Sequence, residues 1–198
     1  NTSIEHNREA AIELLDAAGW SQQGSARVKD GMKLAVTYYT GVSASNDQFK
    51  WYRPEIQAAV QAAWEAIGIE VQPGQLPGDE FFDDNPENLQ SFNHFYYDVE
   101  MFSVDPESPV PLLFFQDWYA GPDNANVAQK QNDWHGFNIQ RFVNPAFDAL
   151  YEALMVTTEP ERAIDLIIQM NDLIVGDFVV VPLVARPDDI VALSSRIV

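Results

Sequence analysis

The sequence predicts an α/β fold, because a segment that alternates like a strand is followed by one with helical periodicity. In MKLAVTYYT the alternation places Leu34, Val36 and Tyr38 on one face of a strand. RPEIQAAVQAAWEAIGIEV then repeats apolar residues at helical spacing and ends in a second strand. A strand, a helix and a strand in this order are expected to form a right-handed βαβ unit with parallel strands.

The first helix is predicted in REAAIELLDAAGW, near the start of the chain. Ile12 and Leu15 share a face there, and Gly19 suits the left-handed position that ends a helix. A polar loop with Gly and Ser is predicted between this helix and the first strand.

The helix of the βαβ unit has the clearest signals in the chain. Pro54 suits a first helical turn, and Gly68 is placed to stop the helix before a strand that begins at Ile69 to Val71. The apolar residues at helical spacing are Ile56, Val60, Trp64 and Ile67. The next segment, PGQLPGDEFFDDNPEN, is predicted to be a turn-rich connection.

The segment FYYDVEMFSVDPESPVPLLFF changes character twice. Its part from Tyr96 to Phe102 is strand-like, its middle combines prolines with acids, and LLFF is apolar again. Proline has no N–H to give to a sheet, and carboxylates are rarely buried without a partner. The middle is therefore expected to leave the core and face a ligand or another part of the protein.

A long aromatic and amide-rich run, DWYAGPDNANVAQKQNDWHGFNIQRF, is predicted to be mostly loop. Irregular runs of this length in compact domains are more often functional than accidental. Trp118, Tyr119 and Trp134 lie here among Asn, Gln and Asp side chains, a combination that suits the walls of a ligand cleft. The alternative, that these aromatics only cover the core, is equally compatible with the sequence.

Two helices are predicted after this loop. Asn144 with Pro145 begins the first, and Thr158, Pro160 and Glu161 begin the second. The residues predicted to face inward are Phe147, Leu150, Leu154, Ile164, Ile167, Ile168 and Ile174. Since no repeat or interdomain linker is visible, the sequence predicts a single α/β lobe over residues 1–198.

Composition and motifs exclude several classes of function. The chain has 30 Asp and Glu against 11 Lys and Arg, and a net charge of −19 repels phosphate, which argues against nucleic acid as a partner. It has no cysteine, so thiolate metal sites and disulfides are excluded. No dinucleotide-binding, Walker or nucleophile-elbow motif occurs, so we expect no enzyme activity and no cofactor.

The residues that can bind metals lack a ligand pattern. His6, His94 and His135 are far apart in the sequence and in no metal-ligand spacing. The acidic residues of the turn-rich connection lack the ligand order of a calcium loop; they are Asp79, Glu80, Asp83, Asp84 and Glu87. We expect no metal site.

The order of the segments resembles the C-terminal lobe of family 5 extracellular solute-binding proteins, the dipeptide- and oligopeptide-binding components of ABC importers. The resemblance covers nearly the whole chain, and its characteristic pieces stand in order from AAIELLDAAGW to the late helix that runs into VVVPLV. Between them are the helix ending in IGIEV, the strand-like YYDVEMF and the NPAFD that opens a helix.

The resemblance implies one lobe of a type II periplasmic-binding-protein fold, with a mixed sheet flanked by helices. It implies a longer protein in which a secretion or lipoprotein leader and an N-terminal lobe precede this one, and in which the two lobes close around a ligand. The partners would be a peptide or small-molecule ligand, the N-terminal lobe and the membrane permease of an ABC importer. The expected location is periplasmic or extracellular, with a lipoprotein tether.

The resemblance also implies which residues bind the ligand. The strand that matches YDVEMF leads into the cleft, so Phe102, Ser103 and Val104 are expected at its lip, and Asp105 would pair with the α-ammonium of a peptide. Glu107 is the nearest substitute. Asp105 with Pro106 also fits the start of a type I turn.

Peptide binding without chemistry is the predicted function. A receptor for a nickel complex, a sugar or an opine remains an alternative within the same class. From other classes, a carbohydrate-active enzyme remains possible because acids beside Trp and Tyr also describe a glycosidase cleft. A protein-interaction module is the third hypothesis and predicts a contiguous exposed apolar patch.

Overall fold

A computed structural model describes residues 5–42, 52–104, 111–177 and 179–182. The helices are α1 Arg8–Ala17, α2 Tyr52–Glu65, α3 Gly78–Phe81, α4 Leu112–Gln116, α5 Pro145–Val156 and α6 Pro160–Gly176. The strands are β1 Ser21–Gln23, β2 Ala26–Lys29, β3 Met32–Lys33, β4 Ala35–Val42, β5 Glu70–Pro77 and β6 Val99–Met101. The predicted α/β class is confirmed.

The chain divides into two compact units. The larger consists of Ser3–Ser103 and Asp117–Asn144, and the smaller of Asn1–Thr2, Val104–Gln116 and Pro145–Val198. That residues 1–198 act as a single lobe stays a prediction.

A three-stranded parallel sheet of order β5-β4-β6 is the centre of the larger unit. The predicted βαβ unit is confirmed, with α2 connecting β4 to β5. The buried Gln57 of α2 attaches the helix to the sheet, because its Nε2 donates to the carbonyls of Tyr38 at 2.8 Å and Gly74 at 3.0 Å. The Trp64 ring packs 5.7 Å from the ring of Tyr38.

Gly74 leaves space for an aromatic stack across the sheet. It pairs with Tyr39 in the register of β4 and β5, and a Cβ at Gly74 would lie 2.2 Å from the Tyr39 ring. The Tyr39 ring stacks on that of Tyr97 with centroids 3.6 Å apart. Any side chain at position 74 would therefore displace the stack.

β5 is longer than the sequence predicted. The prediction started the strand at Ile69 to Val71 and placed Pro73 and Pro77 in a turn-rich connection, whereas β5 continues through Pro77. The prediction was wrong because β5 is an edge strand of this sheet, where a proline without an N–H does not interrupt the ladder.

The segment predicted as a polar loop after α1 also contains strands, and that prediction was wrong. β1, β2 and β3 form a small antiparallel sheet. Arg27 of β2 is 3% exposed; its Nε donates to the carbonyl of Ile67 at 2.7 Å and its guanidinium pairs with Asp16 of α1 at 2.6 Å. This arginine links α1, the small sheet and the end of α2. Gly19, with φ of 88°, follows α1 as predicted.

The smaller unit is helical in its described part. α5 packs on both α4 and α6, and the Phe115 ring of α4 lies 6.1 Å from that of Phe147 in α5. The buried residues of α6 are Leu166, Met170, Ile174 and Val175. Ile174 is buried as predicted. Ile164 is 56% exposed, so the prediction that it faces inward was wrong.

The start of α6 also differs from the prediction. Glu159, not Thr158, is the N-cap, and it makes no side-chain capping bond.

No helix in the described part of the chain is both long enough and apolar enough to span a membrane.

Candidate ligand-binding pocket

A pocket with a volume of about 550 Å³ opens in the larger unit, beside the carboxyl ends of its parallel strands. Phe102 directly follows β6, and Phe82 follows α3, which begins one residue after β5. In α/β sheets, ligands bind outside the carboxyl ends of the strands. The pocket therefore occupies the position that this architecture favours for binding, and its size suits a small ligand or a side chain.

Three phenylalanines form one wall of the pocket. The rings of Phe82, Phe92 and Phe102 contact each other edge to face, with centroids 5.3 to 6.3 Å apart. Beneath them, the fully buried Phe81 packs edge to face on Phe82 at 4.9 Å. A Cβ on Gly41 of β4 would lie 2.8 Å from the Phe81 ring, so Gly41 allows this close packing.

The other wall comes from residues 134–140 of the long loop, and Asn138 holds it in place. The fully buried Asn138 donates from Nδ2 to the carbonyl of Phe142 at 2.7 Å and accepts from the N–H of Phe142 at Oδ1. Its own N–H donates to the carbonyl of Asn126. A Cβ on Gly136 would lie 2.5 Å from that same carbonyl, so the backbone around Gly136 packs directly against the backbone around Asn126. The apolar side chains of this wall are Trp134, Phe137 and Ile139.

Arg141 fastens this wall to the rest of the larger unit. Its Nε donates to the carbonyl of Ala128 at 3.1 Å, and a terminal nitrogen donates to the carbonyl of His94. Its Cζ lies 5.2 Å from the centroid of the Trp134 ring, and the His94 ring lies 4.4 Å from the same indole. Arg141 and His94 thus both help to position Trp134.

The polar side chains in the lining include two carboxylates and no lysine or arginine. They are Asp84, Asn93, Asp117, His135 and Gln140. Burial raises the pKa of Asp117 to about 6. Asp117 is partly exposed, and no hydrogen bond or ion pair reaches its carboxylate from any residue that the structure describes. Oε1 of Gln140 is buried and has no donor among the same residues.

Glu100 lies two residues before Phe102, in β6. Both of its carboxylate oxygens are buried, and neither has a hydrogen-bond donor within the described ranges. Burial raises the pKa of Glu100 to about 8, against an opposing electrostatic effect of Arg141. Glu100 is outside the pocket lining, so we expect it to affect the stability of the protein and not the binding of a ligand.

The structure brings two of the predicted site residues together. Phe102 and Trp134 both line the pocket. Ser103 is beside it and contacts the Tyr52 hydroxyl at 2.9 Å and a guanidinium nitrogen of Arg53 at 3.2 Å.

The other predicted site residues are placed elsewhere or not described. Trp118 is 2% exposed in the larger unit and is not part of the lining. Val104 belongs to the smaller unit and is 44% exposed. Asp105 and Glu107 lie outside the described residues.

Most of the pocket was missed from the sequence. Phe82 comes from the segment predicted as turns, and Phe92, Asp117 and Gln140 attracted no prediction. The pair FF in PGDEFFDDN was the available signal, since two adjacent aromatics in a polar turn need two different environments. Here Phe81 is in the core and Phe82, 40% exposed, is in the pocket.

Comparisons with known proteins identify binding proteins with the same fold. No model of a known protein family matches the chain. The oligopeptide-binding protein OppA of Mycobacterium tuberculosis is 24% identical over 192 residues, which cover 97% of this chain and 28% of that protein. The chain thus spans less than a third of the length of the curated relatives it matches.

Solved structures give the same result. The oligopeptide-binding protein of Thermus thermophilus in complex with a pentapeptide superposes with a TM-score of 0.69 at 18% identity, over 89% of this chain and 29% of that one. NikZ of Campylobacter jejuni in complex with Ni(L-His) superposes with a TM-score of 0.63 at 16% identity, over 86% of this chain and 30% of that one.

The resemblance noted in the sequence is therefore confirmed at the level of fold. This chain has the α/β architecture of a segment of the oligopeptide- and nickel-binding solute-binding proteins, and that segment is somewhat under a third of their length.

Proposed function

We propose that this chain is the ligand-binding lobe of a solute-binding protein that serves an ABC importer, and that its ligands are peptides. The observation that carries the proposal is the aromatic pocket at the carboxyl ends of three parallel strands. It stands in a fold shared with proteins that bind oligopeptides. Aromatic walls with a few polar groups suit the side chains of varied peptides.

The other parts of the proposal follow from the same similarity. A second lobe would close over the pocket, and the loaded protein would deliver its ligand to a membrane permease from the periplasmic or extracellular side. The protein would perform no chemistry on the ligand. Asp105 stays our candidate for the partner of the peptide α-ammonium, with Glu107 as its substitute.

Calorimetry of this chain against a pool of di- to hexapeptides tests the proposal. We expect measurable heat for the peptides and none for an oligosaccharide of similar size. Heat from the oligosaccharide together with none from any peptide would overturn the peptide assignment.

A matched pair of variants tests whether the pocket is the site. Phe137 lines the pocket and is 59% exposed, whereas Leu89 is outside the lining and is 56% exposed. Phe137→Ala is expected to weaken peptide binding by about twofold to tenfold, the size of one aromatic contact, while Leu89→Ala leaves it unchanged. Equal effects of the two substitutions would place the site elsewhere.

A nickel complex is the second candidate ligand. His135 lies in the lining, and one of the similar structures holds a nickel–histidine complex. An imidazole binds metal ions, and the aromatic walls would hold the organic part of a chelate. Titration with Ni(L-His) decides this, and His135→Gln is expected to abolish binding if the imidazole is a ligand.

A further inference from the structure

The pocket contains hydrogen-bond acceptors that nothing described in the protein satisfies. Oε1 of Gln140 is buried without a donor, and the partly exposed Asp117 carboxylate meets neither a donor nor a cation, as far as the described residues extend. A buried acceptor without a partner destabilises a protein by about 1–3 kcal/mol, so such groups are usually matched by a ligand or by water. The missing partner has to bring N–H or O–H donors.

The charge of the pocket specifies the donor further. Asp84 and Asp117 are both in the lining, and no lysine or arginine is. Two nearby cations are engaged: Arg141 with the carbonyls of Ala128 and His94, and Arg53 with the carbonyl of Gly41 and the Ser103 hydroxyl. Neither arginine pairs with a carboxylate of the lining, so Asp84 and Asp117 have no ion-pair partner among the described residues, in a chain whose net charge is −19.

The aromatic walls favour a cation over a neutral donor. Phe82, Phe92 and Phe102 line one side of the pocket, and Trp134 and Phe137 line the other. Aromatic faces attract ammonium and guanidinium groups, most strongly where water is excluded. Rings and carboxylates together select a group that is both positively charged and carried on an apolar stem.

We propose that this pocket binds the cationic end of its ligand, a primary ammonium or guanidinium on a short alkyl chain, as in the lysine or arginine side chain of a peptide. The peptide form of this inference rests on the proposed function, whereas the preference for an alkylammonium group stands on the pocket alone. The site uses Asp117 and Gln140 and is distinct from the contact proposed between Asp105 and a peptide α-ammonium.

The ionisation of Asp117 gives the pocket a dependence on pH. Because its pKa is raised to about 6, the carboxyl is partly protonated at pH 5 to 6, and an incoming cation favours the charged form. Affinity for the cation is expected to rise as the pH increases through about 6. Asp84 and His135 are the other titratable side chains in the lining, so the same titration is made on Asp84→Asn and His135→Gln.

The first experiment uses small probes and needs no peptide. n-Butylammonium and n-butanol are titrated into the chain, and binding is located by NMR chemical shifts of the residues in the lining. We expect the ammonium to bind there at least tenfold more tightly than the alcohol. Equal affinities, or shifts confined to residues outside the lining, would overturn the inference.

Variants make the assignment specific. Asp117→Asn is expected to weaken n-butylammonium binding about tenfold or more, the loss of one charge-assisted hydrogen bond. Asp165→Asn is the matched control, because it removes one carboxylate from the exposed face of α6, and it should change nothing. Gln140→Leu gives a second variant in case Asp117→Asn does not fold. An effect of Asp165→Asn or Asp105→Asn equal to that of Asp117→Asn would contradict the proposal.

The second experiment separates this inference from the proposed function. The tripeptides Ala-Lys-Ala and Ala-norleucine-Ala have the same termini and differ only in the side-chain ammonium. Preferential binding of the lysine peptide supports both proposals, and equal binding of the two overturns the cation preference while peptide binding stands. If neither these tripeptides nor any peptide of the pool binds but n-butylammonium does, peptide binding is refuted and the cation pocket remains.

Discussion

Replacing Glu100 with glutamine is expected to make the larger unit more stable at alkaline pH. The Glu100 carboxylate in β6 is buried, and no donor among the described residues reaches either of its oxygens. Burial raises its pKa from 4.5 to about 8, so in the folded protein the group stays protonated at neutral pH, whereas in the unfolded chain it is ionised. Glutamine keeps the shape of the protonated acid and cannot ionise.

The sign and size of the effect follow from linkage. A carboxyl whose pKa is raised on folding contributes stability below its unfolded pKa, and that stability is lost as the pH rises towards the folded pKa. Each pKa unit corresponds to about 1.4 kcal/mol. Between pH 5 and pH 9, the free energy of unfolding of the parent should therefore fall by on the order of 4 kcal/mol relative to Glu100→Gln.

Urea denaturation followed by tryptophan fluorescence at pH 5, 7 and 9 measures this difference. Glu13→Gln in α1 is the matched control, since it removes an exposed carboxylate, and it should change the free energy of unfolding far less than Glu100→Gln. A constant difference between Glu100→Gln and the parent from pH 5 to pH 9 would refute the reasoning, as would an equal effect of Glu13→Gln.

Two further substitutions test the packing that positions the pocket. Gly74→Ala should lower the free energy of unfolding by about 1–3 kcal/mol, because the new Cβ would lie 2.2 Å from the Tyr39 ring. Gly176→Ala is the control, because a Cβ at position 176 would have no atom within 4 Å. Equal effects of the two substitutions would contradict the packing argument. Asn138→Ala should cost about 2–4 kcal/mol, because it removes both hydrogen bonds between the Asn138 side chain and the backbone of Phe142, and it should also weaken ligand binding. Denaturation and calorimetry measure these changes; unaltered stability of Asn138→Ala would show that the loop wall is held by other contacts.

The helices and the βαβ unit could be predicted because their signals are local. Helical spacing and the stop at Gly68 identified α2, and Pro145 marked the start of α5. The extent of β5 could not be predicted, since whether a proline is tolerated depends on whether a strand lies at the edge of the sheet. The strands of the small antiparallel sheet are two to four residues long and mostly exposed, so they lack an alternating pattern.

The pocket was predictable only in part for a related reason. Phe102 and Trp134 stood out as aromatics beside prolines or amides, and both line the pocket. Phe82 and Asp117 join them only through the parallel register of the sheet and the folding of the long loop. No local pattern records which segments meet at the ends of three strands.

The two walls of the pocket differ in how much freedom a ligand would remove. In the phenylalanine wall even Phe82, although 40% exposed, has its ring against those of Phe81, Phe92 and Phe102. These side chains therefore have little rotamer entropy left to lose. Phe137 and His135 on the loop wall are exposed and retain theirs. A ligand group that lies against the phenylalanine wall would bind at a low entropic cost, and only groups whose shape matches the wall would fit. The exposed side chains of the loop wall can move and would accept ligand groups of different shapes. Each such group would bind somewhat more weakly, because these side chains lose freedom when it binds.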